Sequence, residues 1–126
     1  MTRSEFVPRL VLNEICDDFE NVDQIILRRV NDAAAKCGFT IERGEVVQAL
    51  GRLVADGLAK AYDLRAVPPH SQELEGMPCV DEIEEDFRTY FYRTKKGLDL
   101  QLSDDSWRPL DDDDNLKPDW RLTPEA

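Results

Sequence analysis

Apolar residues recur along the first half of the chain at spacings of three and four, which is the period of a helix with one buried face. Val7, Val11 and Ile15 share one such face, with Leu12 and Phe19 near it, and predict a first helix over Ser4 to Cys16. Pro8 is tolerated only in a first turn, so the regular part of this helix is expected to begin there. Val22, Ile26, Val30, Ala33 and Cys37 repeat the pattern and predict a second helix over Val22 to Cys37, with Asn21 as its N-cap and Gly38 as its stop. Val46, Leu50, Leu53, Val54 and Gly57 predict a third helix from Glu42 to Asp56, ended by Gly57. Between the second and third helices, Phe39-Thr40-Ile41 reads as a short strand.

The period then changes. Ala59 to Arg65 alternates as a strand does, exposing either Lys60, Tyr62 and Leu64 or the opposite set. Arg88 to Arg93 is rich in aromatic and β-favouring residues and reads as a returning strand. The connection over residues 67–87 carries Pro68, Pro69, Gly76 and Pro78, then the run DEIEED from Asp81, and reads as one long loop. Connections of that length are usually functional or disordered. Thr94 can cap a last helix over Lys95 to Leu102. From Ser103 the chain becomes rich in aspartate and proline. Asp111 to Asp114 repel one another and resist helix formation, so the tail is expected to be extended, with Trp107, Leu110, Trp120 and Leu122 as possible anchors.

Composition narrows the class. At 126 residues, 41% of them apolar, the chain fits one domain over 1–102 with an acidic tail over 103–126. No run of 18 apolar residues exists, and the opening MTRSEFVPRL lacks the apolar segment of a secretory leader, so a cytoplasmic protein with no membrane partner is expected. Cys16, Cys37 and Cys79 are odd in number and lack metal-type spacing. Cys16 and Cys37 read as small buried hydrophobes. The net charge is -11, unevenly spread: residues 65–87 carry -6 and residues 103–126 carry -5, whereas residues 88–102 carry +3.

Catalytic patterns are missing from the sequence. His70 is the sole histidine and follows two prolines in a loop, where a solvated side chain is the ordinary outcome. There is no G-x-S-x-G, phosphate-cradling glycine loop, C-x-x-C or H-E-x-x-H. Asp111 to Asp114 lack the spacing and distal glutamate of a calcium loop. Neither a small-molecule substrate nor a cofactor or metal is expected, and the chain reads as a non-enzyme.

The helix VVQALGRLVADGL (46–58), the strands AKAYDL (59–64) and TYFYR (89–93), and the T-x-x-G of Thr94 to Gly97 together resemble the winged helix-turn-helix superfamily. The resemblance covers roughly residues 5–102. It implies an α+β, mainly α fold: a three-helix core, a β-hairpin wing whose loop is the acidic 67–87 segment, and an additional C-terminal helix. In DNA-binding members the third helix enters the major groove and the hairpin flanks it. Carried over by position, the candidate nucleic-acid contacts are Arg43, Gln48 and Arg52, with Arg93, Lys95 and Lys96 as a second basic cluster beside Arg88. Arginine pairs bidentately with guanine and glutamine with adenine. At least six acids between Glu73 and Asp86 depart from the basic wing of such proteins, and a phosphate-facing surface gains affinity by neutralising backbone charge. The favoured expectation is therefore a regulatory module that binds another protein or itself. Tyr90, Tyr92, Trp107 and Trp120 are its candidate interaction surface, and a homodimer is one form it could take. The alternative is a transcriptional regulator reading DNA through helix 42–56.

Overall fold

A computed structural model of the chain describes residues 2–16, 19–36, 38–64, 71–78, 89–109, 111, 117 and 118. Over these residues the fold is α+β and mainly helical, with four α-helices and one small antiparallel sheet.

Helix α1 spans Arg3–Glu14 and starts earlier than the proline suggests. Thr2 and Glu5 form a capping box that satisfies the first orphan amides, and this local chemistry places the helix start ahead of Pro8. Pro8 therefore lies inside the helix. It cannot donate to the Ser4 carbonyl one turn back. The Arg52 guanidinium donates to that carbonyl instead, at a long 3.4 Å.

The second helix opens with one π turn, Val22–Ile26, and continues as α2, Leu27–Ala35. The Asn21 side chain accepts from Asp23 N at 2.9 Å, while Asn21 O accepts from both Ile25 N and Ile26 N. The expected strand at Phe39-Thr40-Ile41 does not form. Its backbone is engaged by side chains: Asn31 Oδ1 accepts from Ile41 N at 2.7 Å, Asn31 Nδ2 donates to Ile41 O and Leu27 O at 2.9 Å each, and Arg3 donates to Thr40 O. Those bonds take up the groups a sheet would have used. Helix α3 spans Arg43–Ala55 and ends at Gly57, whose φ of 75° only glycine adopts without strain.

Strand β1 is Ala59–Leu64, β2 is Ser71–Glu73 and β3 is Thr89–Arg93, in the order β2-β1-β3. Strand β2 corrects the expectation of an unbroken loop over 67–87: Tyr62 pairs with Glu73 and Leu64 with Ser71. The chain after β2 turns back along α3, bringing Met77 against Gly51 and tucking Leu74 and Met77 onto the core. The expected Pro68-Pro69, His70, Cys79 and DEIEED features lie outside the described residues, as do Cys37, Arg88, Leu110, Asp112 to Asp114, Trp120 and Leu122. On the far side of β3, Glu20 and Phe91 make a β-bridge, with amide–carbonyl bonds of 3.0 and 2.9 Å in the two directions.

Helix α4, Lys95–Ser103, is capped by Thr94, whose hydroxyl accepts from Gly97 N at 3.1 Å and donates to Gly57 O at 2.6 Å. A Cβ at Gly97 would lie 2.4 Å from Leu58 O, so this glycine lets α4 rest against the start of β1. A 3₁₀ turn, Asp105–Trp107, follows, so the first residues of the tail are folded rather than extended. Phe6, Leu10, Val11, Ile26, Leu50 and Phe91 lie at the centre of the core, all essentially inaccessible. Cys16 is half-buried, less enclosed than expected. No helix among the described residues is long and apolar enough to cross a membrane.

Candidate functional site

The three α3 residues expected to read DNA do not form one stripe. Arg43 and Gln48 are five residues apart, which separates them by about 140° around a helix. Arg43 turns to the π turn, where Nε and Nη2 donate to Asp23 at 2.7 and 3.1 Å. Gln48 and Arg52 are exposed and one turn apart. They border a shallow groove of about 170 Å³ between α1 and α3, floored by Val7, Pro8 and Ala49. Across it, Arg3 donates to both oxygens of Glu45 at 2.7 Å, bonds Thr40 O, and lies 4.9 Å from the Phe39 ring centroid. The Arg3 hydrogen bonds hold the Glu45 carboxyl below the usual glutamate range. Arg3 and Glu45 thus present a neutral ion pair on the face that would meet phosphate.

The second basic cluster is also divided. Arg93 bonds Gln101, which is buried. Lys96 reaches back to donate to Asp56 O at 2.8 Å, closing the C-terminal end of α3 where a cation offsets the helix dipole. Lys95 is exposed.

Aromatic side chains gather instead on the outer face of the sheet. Alternation along β1 and β3 turns Ala59, Ala61 and Phe91 into the core, and Lys60, Tyr62, Tyr90 and Tyr92 outward. The register sets Tyr62 opposite Tyr90 on one side and Glu73 on the other, with Lys60 opposite Tyr92. Phe19 packs over the diagonal, its centroid 4.9 Å from Tyr62 and 5.1 Å from Tyr92. Each tyrosine keeps part of its surface in solvent, and Lys60 pairs with Glu73 across the strands. The structure thus brings Tyr90 and Tyr92 together and adds Phe19, Tyr62 and Glu73, which the sequence reading did not select. Phe19 was expected near the inner face of the first helix. The available signal was the outward parity of Tyr62 with Lys60. Trp107 belongs to another contact: it packs against the core with the Arg9 guanidinium 5.0 Å from its ring centroid, and Arg9 also bonds Ser106.

One carboxylate is held in an unfavourable place. Glu14 is pushed above the usual glutamate range by burial, which Arg29 at 3.7 Å offsets in part. Among the described residues no group of three histidine, cysteine, aspartate or glutamate side chains is placed to hold a metal ion. No family model, curated protein or solved structure matches the chain.

Proposed function

We propose that the chain is a winged-helix module without catalytic activity that works through protein–protein contact, with a different protein or a second copy of itself. The order helix, β-bridge, helix, helix, strand pair, helix supports the winged-helix reading. One observation carries the rest: the cations expected to meet nucleic acid do not form one stripe, and Arg43, Arg93 and Lys96 are each hydrogen-bonded within the fold. Arg43 is bonded to Asp23, Arg93 to Gln101 and Lys96 to the end of α3. Arg52 is drawn toward the proline gap in α1. Affinity for a duplex comes largely from displacing counterions with available positive charge, and a chain of net charge -11 supplies little of it.

The test is fluorescence anisotropy of labelled duplex DNA at low salt, beside sedimentation over a wide protein concentration range. No duplex binding is expected. Salt-dependent binding that Arg52→Glu abolishes with unchanged melting would favour the DNA-reading alternative, for which Gln48 and Arg52 are correctly exposed. A monomer at every concentration would remove the self-association form and leave a heterologous partner.

A further inference from the structure

We infer that the groove between α1 and α3 binds a small monocarboxylic acid with a short apolar tail, a ligand function separate from the protein-contact reading. The floor of the groove is apolar, formed by the buried residues Val7, Pro8 and Ala49. Its rim carries Gln48 and Arg52, exposed and one turn apart on α3. The groove holds about 170 Å³. At ~30 Å³ per water that is room for roughly six solvent molecules, and so for a ligand of about six to eight non-hydrogen atoms.

Charge and hydrogen-bonding capacity select the ligand. Arg3 also lines the groove, but two bonds of 2.7 Å match it to Glu45, so that pair is neutral. Arg52 is left as the uncompensated cation of the groove. Among the described residues its side chain forms one hydrogen bond, from Nη1 to Ser4 O at a long 3.4 Å. Ser4 O is the carbonyl that Pro8 cannot serve, and this bond draws the guanidinium over the groove. A guanidinium has several N–H donors, so the Nε–Nη2 edge remains for a carboxylate in the bidentate geometry arginine favours. The Gln48 side-chain amide, with no hydrogen bond among the described residues, supplies a further donor. One free cation balances one negative charge. A phosphate dianion would stand near Glu45 with part of its charge unmatched, and an amine would be repelled by Arg52. A single guanidinium beside an apolar floor therefore fits a monocarboxylate whose tail lies on Val7, Pro8 and Ala49.

The experiment titrates the full isotope-labelled chain with isovalerate, with its neutral amide isovaleramide and with acetate, following backbone amide signals at low salt. Isovalerate is expected to saturate with a Kd on the order of millimolar, as its small size implies. Its shifts should centre on Ser4, Val7, Gln48 and Arg52. Isovaleramide lacks the charge and acetate lacks the tail, and each is expected to bind several-fold more weakly. Arg52→Gln is expected to weaken isovalerate by about tenfold, as loss of one charge-assisted pair implies, with the melting temperature little changed because Arg52 is exposed. Lys95→Gln, which removes an exposed cation on α4, is expected to leave the affinity unchanged. The absence of saturable shifts overturns the inference, as does equal binding of the amide or of acetate. Indifference to Arg52→Gln overturns it too, and so does an equal loss in Lys95→Gln, which would mark diffuse attraction of anions instead of a site.

Discussion

Asn31 does more for the helical core than its polar side chain in mid-helix suggests. Two hydrogen bonds of 2.7 and 2.9 Å tie α2 to the backbone of Ile41, which is 1% exposed, and a third of 2.9 Å bonds back to Leu27 O within the helix. Asn31→Ala would leave the Ile41 amide and carbonyl buried without partners. A cost of about 2–3 kcal/mol is expected, read as a lower urea midpoint with an unchanged slope. Glu14 has the opposite sign. Its carboxyl titrates above the unfolded value because burial disfavours the charge. The stability it contributes is present below the unfolded pKa and is lost as pH rises through the folded one. Glu14→Gln is therefore expected to raise the melting temperature at neutral pH, despite losing a half-exposed partner in Arg29, and to show no gain once pH falls below the ordinary glutamate value of 4.5. Thermal melts of both proteins across pH 3–8 (a range of roughly the usual carboxylate titration) check the sign.

At the scale of elements, the T-x-x-G opening of α4 has two separate jobs. Thr94 caps the helix and grips Gly57 O, while Gly97 removes the side chain that would strike Leu58 O. Gly97→Ala would ordinarily favour a helix by up to about 1 kcal/mol. Here the backbone contact at 2.4 Å outweighs that preference, because neither α4 nor β1 can shift without breaking its cap or its sheet register. A net loss of about 2 kcal/mol or more is expected by denaturant unfolding. The apolar periodicity was enough to place α1, α2, α3 and β1, because each buries one face at a fixed spacing, and β-favouring aromatic residues placed β3. Strand β2 was not legible: Ser71, Gln72 and Glu73 are all exposed, so they carry no hydrophobic alternation, and only pairing with β1 makes them a strand. Phe39 to Ile41 failed for the converse reason. Its residues favour a strand, but a distant asparagine supplied its hydrogen bonds first.

Across the whole molecule, electrostatics oppose compaction. A net charge of -11 on 126 residues repels itself, and local pairs such as Arg3–Glu45 and Arg43–Asp23 relieve only part of this. Added sodium chloride should screen the residual repulsion, so the melting temperature is expected to rise between low and moderate salt, checked by calorimetry. A fall would mean that the internal ion pairs outweigh the net charge. The same balance bears on partners, since cations bonded at 2.7 Å within the fold are poor starting points for phosphate contacts.

The sequence alone determined that three helices precede the strands, which residues share a buried face, and that the chain is acidic. Those properties are sums or periods along the chain and need no knowledge of what lies opposite. Tertiary structure decided which charges are available and which rings share a surface. Arg43 and Asp23 are twenty residues apart in sequence, and Phe19 lies far along the chain from Tyr62 and Tyr92, yet they meet. Only packing brings such partners within hydrogen-bond or ring-contact distance, so Arg43, Arg93 and Lys96 brace the fold while Arg52 and Lys95 stay exposed, and the aromatic face emerged on the sheet.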